Sequence, residues 1–195
     1  MLIYILEVFQ IYSKFFYTIV IQLKGAHKMT CQTDLFKLDS RLVDQNQRLL
    51  QHLNTGRTCS RETNQLLSEI FGYQLDPTNE IRLPFHTDYG RNIKLGKNIF
   101  INCNVTMIDI GTIKIGDDVI IGPDTTLLTT DYSTSKKKPI VIGENVNIGG
   151  HVTILPGVTI GQGAIIIAGS VVTTDIEENV TVSGNPAHII KEGNK

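Results

Sequence analysis

From Leu95 onward an aliphatic side chain recurs at every sixth position. Leu95, Ile101 and Met107 open the series. After an eight-residue step it resumes at Ile115, Ile121 and Leu127, and after a longer break it runs through Ile142, Ile148, Ile154, Ile160, Ile166 and Val172. Four residues after most of these leads stands a small or β-branched residue, as at Ile99, Val105, Val119, Thr125, Val146, Val152, Val158, Ala164, Ser170 and Ile176. Glycine often follows the lead directly, at Gly96, Gly116, Gly122, Gly143, Gly149 and Gly161. A six-residue period held this long is an internal repeat, and hexapeptide repeats predict a parallel β-helix. Each hexapeptide supplies one short strand and one corner, and three make a triangular turn. The leads point inward and stack on their equivalents, because one repeat alone buries almost nothing. An amphipathic helix would repeat at 3.6 residues and avoid this glycine and β-branched content. A β-sandwich would place turn signals at 8–12 residues without a fixed period.

Upstream the pattern is helical. Asp34 precedes Leu35, Leu38, Leu42, Leu49, Leu50 and Leu53, and Asn54-Thr55-Gly56 is a stop; Ser60 can start a second helix that buries Leu66, Leu67, Ile70 and Phe71 and ends at Gly72. Residues 29–84 are therefore predicted as a helical hairpin that caps one end of the prism, where bare core and an unpaired strand edge would otherwise face water. Residues 85–195 form the β-helix. Within it, the excess around Asp109-Ile110-Gly111 must bulge from a corner, and Asp131 to Pro139 must project as a loop. Lys136, Lys137 and Lys138 in that loop read either as a solvated face or as a phosphate-binding element for a nucleotide-bearing cofactor.

Residues 1–28 are apolar, but Glu7, Gln10 and Lys14 break them below the ~18-residue run of a membrane span. They have neither the basic start nor the small-residue cleavage site of a secretory signal. The expectation is an upstream translation with Met29 as the natural start, the alternative being a membrane-surface helix. A formal net charge of −1 over 195 residues removes bulk electrostatics as a reason to bind nucleic acid or an anionic membrane. Three cysteines without metal spacing, Cys31, Cys59 and Cys103, fit unpaired thiols in a reducing cytoplasm.

Asp88-Tyr89-Gly90-Arg91-Asn92-Ile93, Asn102-Cys103-Asn104, Ile148-Gly149-Gly150, Leu155-Pro156-Gly157-Val158-Thr159-Ile160-Gly161 and Gly184-Asn185-Pro186-Ala187 together resemble the maltose and galactoside O-acetyltransferases, which are left-handed β-helix acyltransferases. The resemblance covers residues 33–191. It implies a homotrimer with grooves between prisms, in which acetyl-CoA is co-substrate, no metal takes part and the hydroxyl of a sugar or similar small acceptor attacks the thioester. It places Asn102 among the catalytic residues. Asp88 and Asp109 fall at substrate-contacting positions. Gly150, Ala168 and Thr173 fall on the cofactor groove, with Thr174, His188 and Lys191 at positions that are often basic.

The family's histidine base falls on Tyr132, preceded by Asp131. Unperturbed carboxyl and phenol groups titrate near 3.9 and 10, far from the value near 7 that suits a base at neutral pH. Loss of one general base costs about 10²- to 10⁴-fold in rate. Two readings follow: an active O-acetyltransferase, its catalysis impaired if no other group replaces the histidine, or a catalytically weak or inactive paralogue kept as a binding or scaffold protein. A zinc hydrolyase on the same fold would need three converging histidines, and His86 and His151 are the only two in or beside the active-site region of the coil.

Overall fold

A computed structural model describes residues 37–57 and 59–192. The expectations for residues 1–28 and for Asp34 and Leu35 lie outside the described residues. Two helices come first, α1 (Ser40–Thr55) and α2 (Ser60–Phe71). The cap of α1 is Asp39, whose carboxylate accepts from the N–H groups of Arg41 and Leu42, and not the expected Asp34. The second helix ends as expected, with Gly72 in the left-handed region at φ 77°.

Five turns of β-helix follow. The first holds β1 (Glu80–Ile81), β2 (Phe85–Thr87) and β3 (Ile93–Leu95). The second holds β4 (Phe100–Ile101), β5 (Val105–Ile108) and β6 (Ile113–Ile115). In the third, β7 (Ile120–Ile121) and β8 (Thr126–Leu128) precede a two-stranded arm, β9 (Thr130–Asp131) and β10 (Lys136–Lys137), before β11 (Ile140–Ile142). The fourth is β12 (Asn147–Ile148), β13 (Thr153–Ile154) and β14 (Thr159–Ile160). The fifth is β15 (Ile165–Ile166), β16 (Val171–Val172) and a single bridge from Ile176 to Ile160. Last come β17 (Thr181–Ser183) and β18 (His188–Lys191), which turns back antiparallel to it. The β-helix thus begins at Glu80, five residues before the boundary read from sequence, because Arg82 N–H already donates to Ile101 C=O.

Equivalent strands stack in parallel into three faces. Face 1 is β1, β4, β7, β12, β15 and β17 with β18 at its end; face 2 is β2, β5, β8, β13 and β16; face 3 is β3, β6, β11 and β14. Register puts like residues in line: Ile81, Ile101, Ile121, Ile148, Ile166 and Val182 on face 1, and Thr87, Met107, Leu127, Ile154 and Val172 on face 2. Every lead aliphatic of the six-residue rhythm except the half-buried Leu95 is buried, and so are all ten residues that follow four places later. Each such aliphatic contributes roughly 1.5–3 kcal/mol by leaving water. At Gly122 the turns come so close that an added Cβ would sit 2.5 Å from the backbone of Gly149 and Gly150, which explains the glycine after the lead.

The cap closes the open edge through side chains that imitate a strand. Asn54 donates to Phe85 C=O at 2.8 Å and accepts from Phe85 N–H at 3.0 Å. The Tyr73 hydroxyl accepts from Leu95 N–H, and the Asn79 amide bonds Gly96 C=O and Ile99 N–H. Backbone groups of Phe85, Leu95, Gly96 and Ile99 at this open end are thereby paired.

Candidate active site

Insertions and candidate site residues concentrate on two of the three corners. The corner between faces 2 and 3 carries Asp88 in the first turn, Asp109 in the second, the β9–β10 arm with Tyr132 in the third, Leu155-Pro156-Gly157 in the fourth and Thr173-Thr174 in the fifth. The corner between faces 1 and 2 carries Asn102, Gly150 and Ala168 in the second, fourth and fifth turns. Its left-handed residues are Asn104, Asp124, His151 and Gly169, at φ 61°, 58°, 55° and 77°. His151 therefore shapes a solvent-facing corner, with Nε2 3.5 Å from the Asp124 carboxylate.

Two aspartates build the first ridge. Asp109 is fully buried, and its oxygens accept from Thr87 Oγ1 (2.6 Å), Tyr89 N–H (3.1 Å), Gly90 N–H (2.8 Å) and Asn92 N–H (2.9 Å). Expected as a sugar ligand, Asp109 is instead committed to the chain segment around residues 87–92 and fixes its path. Its own N–H donates to Asp88 Oδ1 at 2.9 Å, so Asp109 also holds Asp88 in place. Burial, and then the adjoining Asp109 carboxylate, push the Asp88 carboxyl up to about 7. Removal from water and a like charge both disfavour the ionised form. Asp88 thus stands on the same ridge as Tyr132 with its carboxyl raised well above the ordinary carboxylate range.

The third turn's excess residues form an antiparallel arm rather than a plain loop, with Lys136 opposite Asp131 and Lys137 opposite Thr130. Asp131 closes it by accepting from Ser133 (N–H and Oγ) and Thr134 (N–H and Oγ1), bonds that lower its carboxyl to about 2. Tyr132 at the tip is 57% exposed. It helps line a groove of about 550 Å³ that runs down to Pro156 and Thr173.

On the second ridge the Asn102 carbonyl accepts from Cys103 N–H at 2.8 Å, which orients its NH₂ as the free donor. Gly150 is half-buried and Ala168 exposed. One chain does not bring these residues to Tyr132. The outward row of face 2, namely His86, Thr106, Thr126, Thr153 and Val171, lies between the ridges. His188 and Lys191 lie on neither ridge but on β18, opposite Ser183 and Thr181 at the end of face 1. Among the described residues no group of three or more His, Cys, Asp or Glu side chains could hold a metal ion, and no helix is long and apolar enough to cross a membrane.

A prism of hexapeptide turns with a helical cap and an arm on one corner defines a hexapeptide-repeat β-helix protein. No protein-family model matches the chain. It is 44% identical over 152 residues, 73% of each chain, to the galactoside O-acetyltransferase of Escherichia coli K12. Among solved structures it is similar to a hexapeptide-repeat-containing acetyltransferase of Vibrio cholerae complexed with acetyl coenzyme A (35% identity, TM-score 0.75, covering 91% of this chain and 98% of that one). It is also similar to a maltose O-acetyltransferase of Clostridium difficile 630 (30% identity, TM-score 0.75, covering 87% and 100%). The chain belongs to the galactoside and maltose O-acetyltransferase family of hexapeptide-repeat acetyltransferases.

Proposed function

We propose that the protein transfers an acetyl group from acetyl-CoA to a hydroxyl of a sugar or similar small acceptor, in grooves where the two ridges of neighbouring copies meet. The family supports the reaction, and acetyl-CoA is present in the Vibrio cholerae relative. The separation of the site residues onto two corners carries the rest of the reading. Asn102, Gly150 and Ala168 stand on one ridge, and Asp88, Tyr132 and Thr173 on the other. A flat face between them encloses nothing, whereas one copy's first ridge against the next copy's second makes a concave site. Three copies closing into a ring would give three such grooves, as the family resemblance implies. The outward row of face 1 supplies apolar surface for contact, with Ile120 and Ile165 46% and 42% exposed.

In this groove Asp88 takes the proton of the acceptor hydroxyl as the oxygen attacks the thioester carbonyl. The C–S bond then breaks, and the thiolate of CoA leaves and takes up a proton. The Asn102 NH₂ and the Tyr132 hydroxyl donate to the charge that develops on the carbonyl oxygen. Gly150, Ala168, Thr173 and Thr174 line the path of the cofactor, and Lys191 and His188 meet its outer end. Cys59 and Cys103, both free thiols, suit work in a reducing cytoplasm.

Free-thiol release from acetyl-CoA in the presence of mono- and disaccharides tests the reading. Turnover that depends on the acceptor is the expected result. Absence of both turnover and CoA binding would instead make the protein a scaffold whose enzyme function has lapsed.

A further inference from the structure

We propose that Lys136 and Lys138 form an anion-binding site in the arm's groove, which takes a phosphate of the acyl carrier or the carboxylate of an acidic acceptor. This rests on the acetyl-transfer reading above and adds to it what kind of ligand the groove selects.

Lys138 is a built feature and not a stray surface cation. Its N–H donates to Thr129 C=O at 2.8 Å, which fixes its backbone where the arm rejoins the coil. Its alkyl chain then crosses to the next turn and lies over Gly157. A Cβ there would come within 2.9 Å of Lys138 Cδ and 3.3 Å of its Cβ. Gly157, at φ 92°, leaves the room that this crossing needs. Lys138 lines the groove together with Pro156 and Thr173, and Lys136 lines it from β10. Among the described residues neither ammonium has a carboxylate within 4.0 Å. The groove's one acid, Asp131, is ionised but turned to Ser133 and Thr134, and the two ammoniums outnumber its single charge. The groove wall also holds Thr130, which is 2% exposed and whose hydroxyl has no partner. Further along this corner Thr173, Thr174 and Asp175 bring no cation. Two ammoniums without a carboxylate partner and the unpartnered Thr130 hydroxyl around an open groove suit an anion, since a lysine binds phosphate or carboxylate as a point charge.

Calorimetric titrations of the full chain and of the double variant Lys136→Ala/Lys138→Ala, with CoA, pantetheine and inorganic pyrophosphate, test this. Both side chains are exposed, so the variant should melt like the parent, and a thermal scan checks that it does. The expected result is at least about tenfold weaker binding of CoA and of pyrophosphate, with pantetheine, which has no phosphate, unchanged. A second arm compares KM for galacturonic acid with KM for galactose, a pair that differs in the carboxylate. If CoA binding holds and only the acid's KM rises in the variant, the anion is the acceptor's. Pyrophosphate binding that the variant loses, in a protein that ignores CoA, keeps the anion site and overturns the acyl-carrier reading. Affinities for CoA and pyrophosphate within about twofold of the parent, with an unchanged KM ratio, overturn the proposal.

Discussion

Asp88→Asn is expected to slow acetyl transfer by about 10²- to 10⁴-fold, the range for loss of a general base, while it stabilises the fold above neutral pH. Both effects come from one placement. The amide keeps an oxygen for the Asp109 N–H, so the segment stays in position, but it cannot take the acceptor's proton. The stability effect follows from linkage. The Asp88 carboxyl is held up at about 7 in the folded chain against an ordinary 3.8. Between those values the folded chain keeps a proton that the unfolded chain has lost, so stability falls as pH rises from about 4 to 7 and stays lowered above that. Asparagine removes the titration. The variant should therefore exceed the parent by about 2 kcal/mol or more at pH 8, with the gap closing toward pH 4. In the rate, kcat/KM of the parent should rise through a step near pH 7 that the variant lacks. Urea melts at pH 5 and pH 8 beside a pH–rate profile check both. A variant that keeps a third or more of the parent's rate would remove Asp88 from the chemistry.

Asp109→Ala is expected to cost about 3–5 kcal/mol, the range for removing one member of a buried charged network. Four donors converge on this carboxylate, three of them backbone N–H groups, of which that of Gly90 is buried and those of Tyr89 and Asn92 are part-buried. Each buried donor left without a partner costs about 1–3 kcal/mol, less whatever the segment recovers by moving. That movement would also release Asp88, so activity should fall with stability. Asp109→Asn keeps one acceptor oxygen and should lose less of both. Unfolding curves at matched subunit concentration measure the cost, since assembly adds to apparent stability. A loss below about 1 kcal/mol for the alanine variant would mean that the segment finds other acceptors.

The repeat could be read from the sequence because its signal is local. A lead aliphatic every six residues and a small residue four later follow from one turn's own geometry, as Ile148 and Val152 or Ile160 and Ala164 illustrate. What could not be read depends on which residues the stacking brings together across about twenty positions. The donors to Asp109 lie nearly one full turn away, and nothing near Asp109 in the chain distinguishes a saturated carboxylate from a sugar ligand. The Asn54 pairing with Phe85 spans 31 residues, and its asparagine sits within a helix stop. The arm was legible as an excess of residues but not as a hairpin, because two-residue strands leave no alternating pattern to detect. The division of the site between two corners needed the register of all three faces.

Mixing two crippled copies tests the shared groove most directly. Asn102→Ala removes a donor from one ridge and Asp88→Asn a proton acceptor from the other, and each variant alone should be nearly inactive. In randomly mixed trimers, about a quarter of the grooves combine the intact ridge of each. Co-expression should therefore restore about a quarter of the parent's thiol release. Activity no higher than that of either variant alone would contradict a site built from two copies of the chain.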